Sequence, residues 1–81
     1  MITSEDKVYM RRAITLAAKA QEHGEVPVGA VIVRDGVILG EGFNQPISQS
    51  DPTAHAEVVA LRTAATAINN YRLLETTLYV T

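Results

Sequence analysis

Val26-Pro27-Val28-Gly29-Ala30-Val31-Ile32-Val33, then Asp35-Gly36, then Val37-Ile38-Leu39-Gly40, is the stretch that decides how this chain folds. The first run is continuously apolar and rich in β-branched residues, which predicts a strand. Asp-Gly is the two-residue signal of a type I′ hairpin turn, so the second run reads as the partner strand. Neither run alternates with polar residues, and both are expected to be covered on two faces. Pro27 has no N–H for a ladder and belongs at the start of its strand or on an edge. Gly29, Gly40 and Gly42 mark either bulges or close approach of another backbone or a ligand, a bulge being the commoner meaning of a strand glycine.

Helices flank this hairpin. Upstream, Ser4 to about Glu22 is amphipathic, with Tyr9, Met10, Ala13, Ile14, Leu16, Ala17 and Ala20 on one side. Thr3 or Ser4 can cap it, and Gly24 can end it in the left-handed conformation. His23 reads as a side chain meeting the last carbonyls of that helix, or as a metal ligand. Downstream, Glu41-Gly42-Phe43-Asn44 leads into a polar loop, Gln45 to Ser50. Asn44 is then either an Asx-turn residue or a binding group at a strand end. A second helix is expected from Pro52 to about Ile68, with Asp51 as its cap and Pro52 in its first position. Its inner stripe reads as Ala54, Val58, Leu61, Ala65 and Ile68, and its far side as Ala56, Ala60, Thr63 and Ala67. So apolar a helix should be covered on more than one side, by a further segment or a second subunit. Thr77 to Thr81 forms a third strand. Strand, helix, strand implies a right-handed crossover and parallel pairing, hence an α-β-β-α-β chain with a mixed sheet.

Composition narrows the chemistry. The 81 residues, 47% hydrophobic, make at most one small domain with a marginal core. There are no cysteines, so disulfides and thiolate zinc ligands from these residues are excluded. A net charge of −2 provides no overall electrostatic footprint for nucleic acid and leaves only local patches. The N-terminus is polar and acidic, unlike a signal peptide, and no apolar run approaches transmembrane length, so a cytoplasmic location without membrane contact is expected.

The residues that carry chemistry lie in Asp51-Pro52-Thr53-Ala54-His55-Ala56-Glu57-Val58. In mid-helix His55 and Glu57 would diverge by roughly 200°, but near a helix start both can reach something beyond its end. An imidazole and a carboxylate placed so suit a metal-held water, with His55 binding the metal and Glu57 moving protons. They also suit a histidine bonded to a loop and a first-turn carboxylate favoured by the helix dipole, a placement that needs no chemistry and is the commoner one.

Four blocks, taken in order, are far more specific than His-x-Glu alone. Glu25-Val26-Pro27-Val28-Gly29-Ala30-Val31, Gly40-Glu41-Gly42-Phe43-Asn44, the His55-x-Glu57 block and Asn70-Tyr71-Arg72-Leu73 with Thr77-Leu78-Tyr79-Val80-Thr81 closely resemble the bacterial tRNA-specific adenosine deaminases. These are cytidine-deaminase-like zinc hydrolases, whose signature is H-x-E followed by P-C-x-x-C. The resemblance spans the whole chain but only the N-terminal half of the family's domain. It implies an α/β fold of α-β-α layers, here as its α-β-β-α-β portion. It implies that His55 ligates Zn2+, that Glu57 is the catalytic proton carrier and not a ligand, and that Asn44 contacts the target nucleoside. The backbone around Ala56 and the Pro27-Val28 segment would line the same pocket. The implied reaction is hydrolysis of adenosine to inosine at the wobble position of a tRNA anticodon loop, by a homodimer. The family's two cysteine ligands would follow Thr81, so the 81 residues alone are expected to bind zinc poorly and to be inactive. Two other readings stand beside this one. One is a zinc deaminase of free cytidine, guanine or another base, and the other is a non-catalytic truncated module that pairs through its apolar helix.

Overall fold

A computed structural model describes residues 1–81. The elements are α1 (Ser4–Glu22), β1 (Gly29–Arg34), β2 (Val37–Phe43), α2 (Ala56–Ala67) and β3 (Thr77–Val80). Thr3 caps α1 in a reciprocal capping box. Its hydroxyl accepts from the Asp6 N–H and the Asp6 carboxylate accepts from the Thr3 N–H, both at 3.0 Å. Past the helix Gly24 sits at φ 74°, and the His23 ring nitrogen lies 2.8 Å from the Lys19 carbonyl, which settles His23 as a helix-end residue. Asp35 and Gly36, at φ 50° and 73°, make the hairpin turn with both central residues left-handed.

The sheet order is β2-β1-β3, and both pairings are antiparallel. This corrects the expected mixed sheet. β2 and β3 do run parallel to one another, as a strand–helix–strand crossover requires, but β1 lies between them. The reason is burial. β1 is covered on both faces along almost its whole length, which is the central-strand pattern, whereas β2 begins exposed at Val37 and Ile38. The expectation of two-sided cover therefore holds for β1 and fails for the first half of β2.

Alternation along β1 sends its side chains to opposite layers. Val31 and Val33 pack with Ala13 and Leu16 of α1, while Ala30 packs with Ala56 and Ala60 of α2. Helix, sheet and helix thus form three layers, and β1 holds the largest fully buried side chains, Val31 and Ile32.

The glycines are the second correction. A Cβ at Gly42 would strike the Ala56 carbonyl and lie 2.7 Å from the Ala60 nitrogen. One at Gly40 would lie 2.5 Å from the Ala60 oxygen and 2.6 Å from the Ala64 nitrogen. Gly29 stands in the same relation to Ala13 and Ala17 of α1. All three are places of close approach by a helix backbone. A bulge does occur, at Leu39, beside Gly40 but not at it.

This contact also overturns the expected inner stripe of α2. The residues facing the sheet are Ala56, Ala60 and Ala64, all fully buried, two of them from the expected far side. Val58, Ala65 and Ile68 are only half-buried, and Leu61 is exposed. A glycine strand leaves room for nothing larger than alanine, so proximity decided the face and hydrophobicity did not.

Candidate functional site

α2 starts at Ala56, not at Pro52. The Asp51 carboxylate accepts from the backbone N–H (2.9 Å) and the hydroxyl (2.7 Å) of Thr53, closing an Asx-turn where a helix cap was expected. Those two donors hold the Asp51 carboxyl below the usual carboxylate range. The Ala54 N–H bonds the Asp51 carbonyl and the His55 N–H bonds the Thr53 carbonyl, and His55 itself is extended (φ −75°, ψ 152°). His55 is therefore the N-cap residue. The divergence that a helical His55 and Glu57 would suffer does not arise, because His55 stands off the end of the helix and Glu57 lies in its first turn.

His55 makes no side-chain cap bond. The cap comes from a distance. Asn44, buried to 7% exposure at the end of β2, accepts the Ala56 N–H on its Oδ1 at 2.8 Å. It is thus not an Asx-turn residue. Its amide NH2 makes no bond within the chain yet is not sealed from solvent, so it remains a free donor beside the helix start. The N–H groups of Glu57 and Val58 also lack acceptors in the chain. The Asn44 N–H in turn bonds the Val28 carbonyl at 3.1 Å.

One connected set of bonds therefore brings together Val28, Asn44 and the His55-Ala56-Glu57 turn. Pro27, exposed, is one residue removed from it. Ala56 contributes only backbone, since its side chain faces the sheet and its N–H is taken by Asn44. Glu57 is half-buried and His55 is exposed.

Sequence reasoning passed over Glu25. The residue is 5% exposed, and its carboxylate accepts the backbone N–H groups of Ile47 (3.1 Å) and Ser48 (2.7 Å). Burial disfavours its charge, but the Ser48 and Ile47 donors outweigh that and hold the carboxyl below its usual range. A lone acidic residue beside an apolar run gives no local sign of such a partner, because the loop that supplies the donors lies 22 and 23 residues away.

As a metal site the arrangement is partial. The ring nitrogens of His55 make no bond in the chain, as a ligand requires, but nowhere do three or more His, Cys, Asp or Glu side chains cluster. The site is also an open surface. The largest groove lies elsewhere, between α1 and β3, lined by Met10, Ile14 and Leu78 among others, and no cavity includes His55 or Glu57. No helix is long and apolar enough to cross a membrane.

Known proteins resemble this chain in sequence and in fold. The family described as the cytidine and deoxycytidylate deaminase zinc-binding region matches residues 3–81. The tRNA-specific adenosine deaminase of Haemophilus influenzae is 61% identical over 77 residues, which is 94% of this chain and 44% of that protein. The guanine deaminase of Bacillus subtilis is 45% identical over 74 residues, 90% of this chain and 47% of that protein. Among solved structures, one from work on tRNA deaminases that perform A-to-I editing at the wobble position superposes with a TM-score of 0.90 and 40% identity. It is matched over 93% of this chain and 54% of its own length. The chain spans about half the length of the curated relatives it matches.

Proposed function

This chain belongs to the cytidine and deoxycytidylate deaminase zinc-binding family, and from that premise we propose that it is the N-terminal portion of a deaminase domain that converts the wobble adenosine of a tRNA anticodon loop to inosine. The observation that carries this reading is the Asn44–Ala56 bond, which fixes a free amide donor at the start of the helix whose N-cap is His55 and whose first turn holds Glu57. The 61% identity to a tRNA-specific adenosine deaminase favours adenosine in RNA over free bases. Similarity to guanine deaminase, at 45%, keeps a free purine as the competing substrate.

His55 would hold zinc as one of the three protein ligands usual at a catalytic site, with the others coming from outside these residues. Zinc, when bound, would supply a water acidic enough to lose a proton near neutral pH. Glu57 would take that proton and deliver it to the ring nitrogen, and would then carry the remaining proton of the added hydroxyl to the leaving amine. Water oxygen adds at C6 of the base, the C6–N bond breaks, and ammonia departs. The Asn44 NH2 would donate to the nucleoside and orient it, while the Ala56 N–H fixes the direction of the Asn44 amide. Val28 and Pro27 would form the wall behind. The half-buried outer face of α2, Val58, Ala65 and Ile68 beside Leu61, suits a second copy of the chain.

The test is complementation. This chain is mixed with the C-terminal half of the Haemophilus influenzae relative, which should carry the remaining ligands, and zinc content and deamination are measured on an anticodon stem-loop, free guanine and cytidine. Zinc uptake with inosine formed in the stem-loop is expected. Glu57→Ala should retain zinc and lose about 10²- to 10⁴-fold in rate. A folded, zinc-loaded complex that leaves the stem-loop untouched and deaminates guanine would overturn the substrate assignment.

A further inference from the structure

The loop Gln45–Ser50 carries the chain from Asn44 to the Asp51–His55 turn. Within it the Gln49 N–H bonds the Gln45 carbonyl (2.9 Å) and the Ser50 N–H bonds the Ile47 carbonyl (3.2 Å), but the Ile47 and Ser48 N–H groups find no acceptor in the loop itself. Ser48 is exposed and so is Ile47, at 73%. Its ends are tied by backbone bonds, from the Gln45 N–H to the Ala54 carbonyl (2.9 Å) and from the Asp51 N–H to the Pro46 carbonyl (3.0 Å). Its middle is held from below by the two N–H groups that Glu25 accepts. A carboxylate is an uncommon choice for a place this buried. It is stable there because it accepts charge-assisted bonds from two backbone donors at once, which a neutral side chain cannot match.

We infer that Glu25 is a positioning residue for substrate, clamping the loop Gln45–Ser50 so that it forms a fixed rim beside Asn44 and the His55–Glu57 turn. The inference rests on the deaminase reading for its substrate but not for the clamp. The geometry separates two functions. The His55–Glu57 turn is held by Asn44 and by Asp51 with Thr53, none of which touches Glu25, and it meets the loop only through the end bonds to Ala54 and Asp51, whereas the middle of the loop is bonded to Glu25. Loosening the clamp should therefore weaken substrate capture and spare the chemical step. Glu25 reaches no reacting atom in this account.

The test is the series Glu25→Gln and Glu25→Ala. Glutamine keeps the shape and one acceptor oxygen, and alanine keeps neither. In the 81-residue chain, amide hydrogen exchange at Ile47 and Ser48 should quicken about tenfold with Gln and further with Ala, and Gln45 should follow them. Ala56, bonded to Asn44, should hold its protection. In the zinc-loaded complemented enzyme, KM for the stem-loop should rise about tenfold in the same order, with kcat within about threefold of wild type. Unchanged exchange at Ile47, Ser48 and Gln45 would refute the clamp. Faster exchange with unchanged KM would leave Glu25 a purely structural residue and overturn the inference. A wild-type complex inactive on RNA but active on guanine refutes the RNA substrate alone, and the KM comparison is then read on guanine. A complex inactive on every substrate refutes the deaminase reading and the rim role together, while exchange still decides the clamp.

Discussion

Gly42→Ala is the most demanding test of how the sheet sets the site. The added Cβ would strike the Ala56 carbonyl and meet the Ala60 nitrogen at 2.7 Å and the Val59 Cβ at 2.9 Å. The first two are helix backbone and cannot rotate away. Opening the Ala60 contact from 2.7 Å to the 3.4 Å of an ordinary one moves the start of α2 back by at least about 0.7 Å, and the closer Ala56 carbonyl requires more. Overpacking of this kind costs about 1–3 kcal/mol. The displaced turn carries His55 and Glu57, and an error near 1 Å in reacting groups costs on the order of 10²-fold in rate. The assay is urea unfolding of the chain together with deamination by the zinc-loaded complemented enzyme. Both should fall, and the rate should fall by more than the loss of folded protein explains. Because the obstruction is backbone, adding Ala60→Gly should not rescue either quantity. Rescue by Ala60→Gly, or a Gly42→Ala chain of unchanged midpoint, would refute this account of the α2–β2 contact.

Three further outcomes follow from the side chains. Asn44→Ala should destabilise the chain by about 1–3 kcal/mol in urea unfolding, since it strands the buried Ala56 N–H. Asn44→Asp keeps the acceptor and should recover most of that stability without recovering activity, because the donor to substrate is gone. The Tyr79 hydroxyl donates to the Asp6 carboxylate at 2.6 Å, and this bond first, with burial second, pushes the phenol up to about 12 from an ordinary 10.0. A raised value gives stability that is whole below pH 10.0 and is lost as pH climbs through about 12, so phenolate absorbance in the wild type should show a late step that Tyr79→Phe removes. Arg12 meets Glu41 across α1 and β2 through both Nε and Nη2, and that hydrogen-bonded guanidinium holds the Glu41 carboxyl below its usual range. The pair is partly exposed, so Glu41→Gln should cost less than about 1 kcal/mol, and the wild type's advantage should vanish as pH falls through the lowered Glu41 value.

Local signals carried much of the fold. The Asp35-Gly36 turn, the Thr3 cap, the Gly24 stop, the limits of α1 and the start of β3 each depend on neighbours within a few residues, and all were readable in order. What the sequence hid depends on partners far along the chain. Hydrophobicity pointed Val58 and Leu61 inward, yet the glycines of β2 draw Ala56, Ala60 and Ala64 to the sheet. The strand order turned on which apolar run was covered twice, and composition did not distinguish β1 from β2. At the site, His55, Glu57 and Asn44 were nameable from their motif. The bond that joins Asn44 to Ala56 was not, because it spans 12 residues and needs the helix to begin four positions later than Asp51-Pro52 suggested.

The seam of glycine against alanine beneath α2 also bears on motion. Most helix–sheet contacts are filled by long side chains that hop among rotamers, and each hop lets the backbones breathe. Glycine and alanine have no rotamers to exchange and lose no side-chain entropy when they are packed. The first turn of α2 therefore rests on backbone touching backbone, with no soft layer between. Its thermal wander should be set by the stiffness of the sheet itself, so the most exposed groups of the site, His55 and its neighbours, sit on one of the least compliant contacts in the molecule.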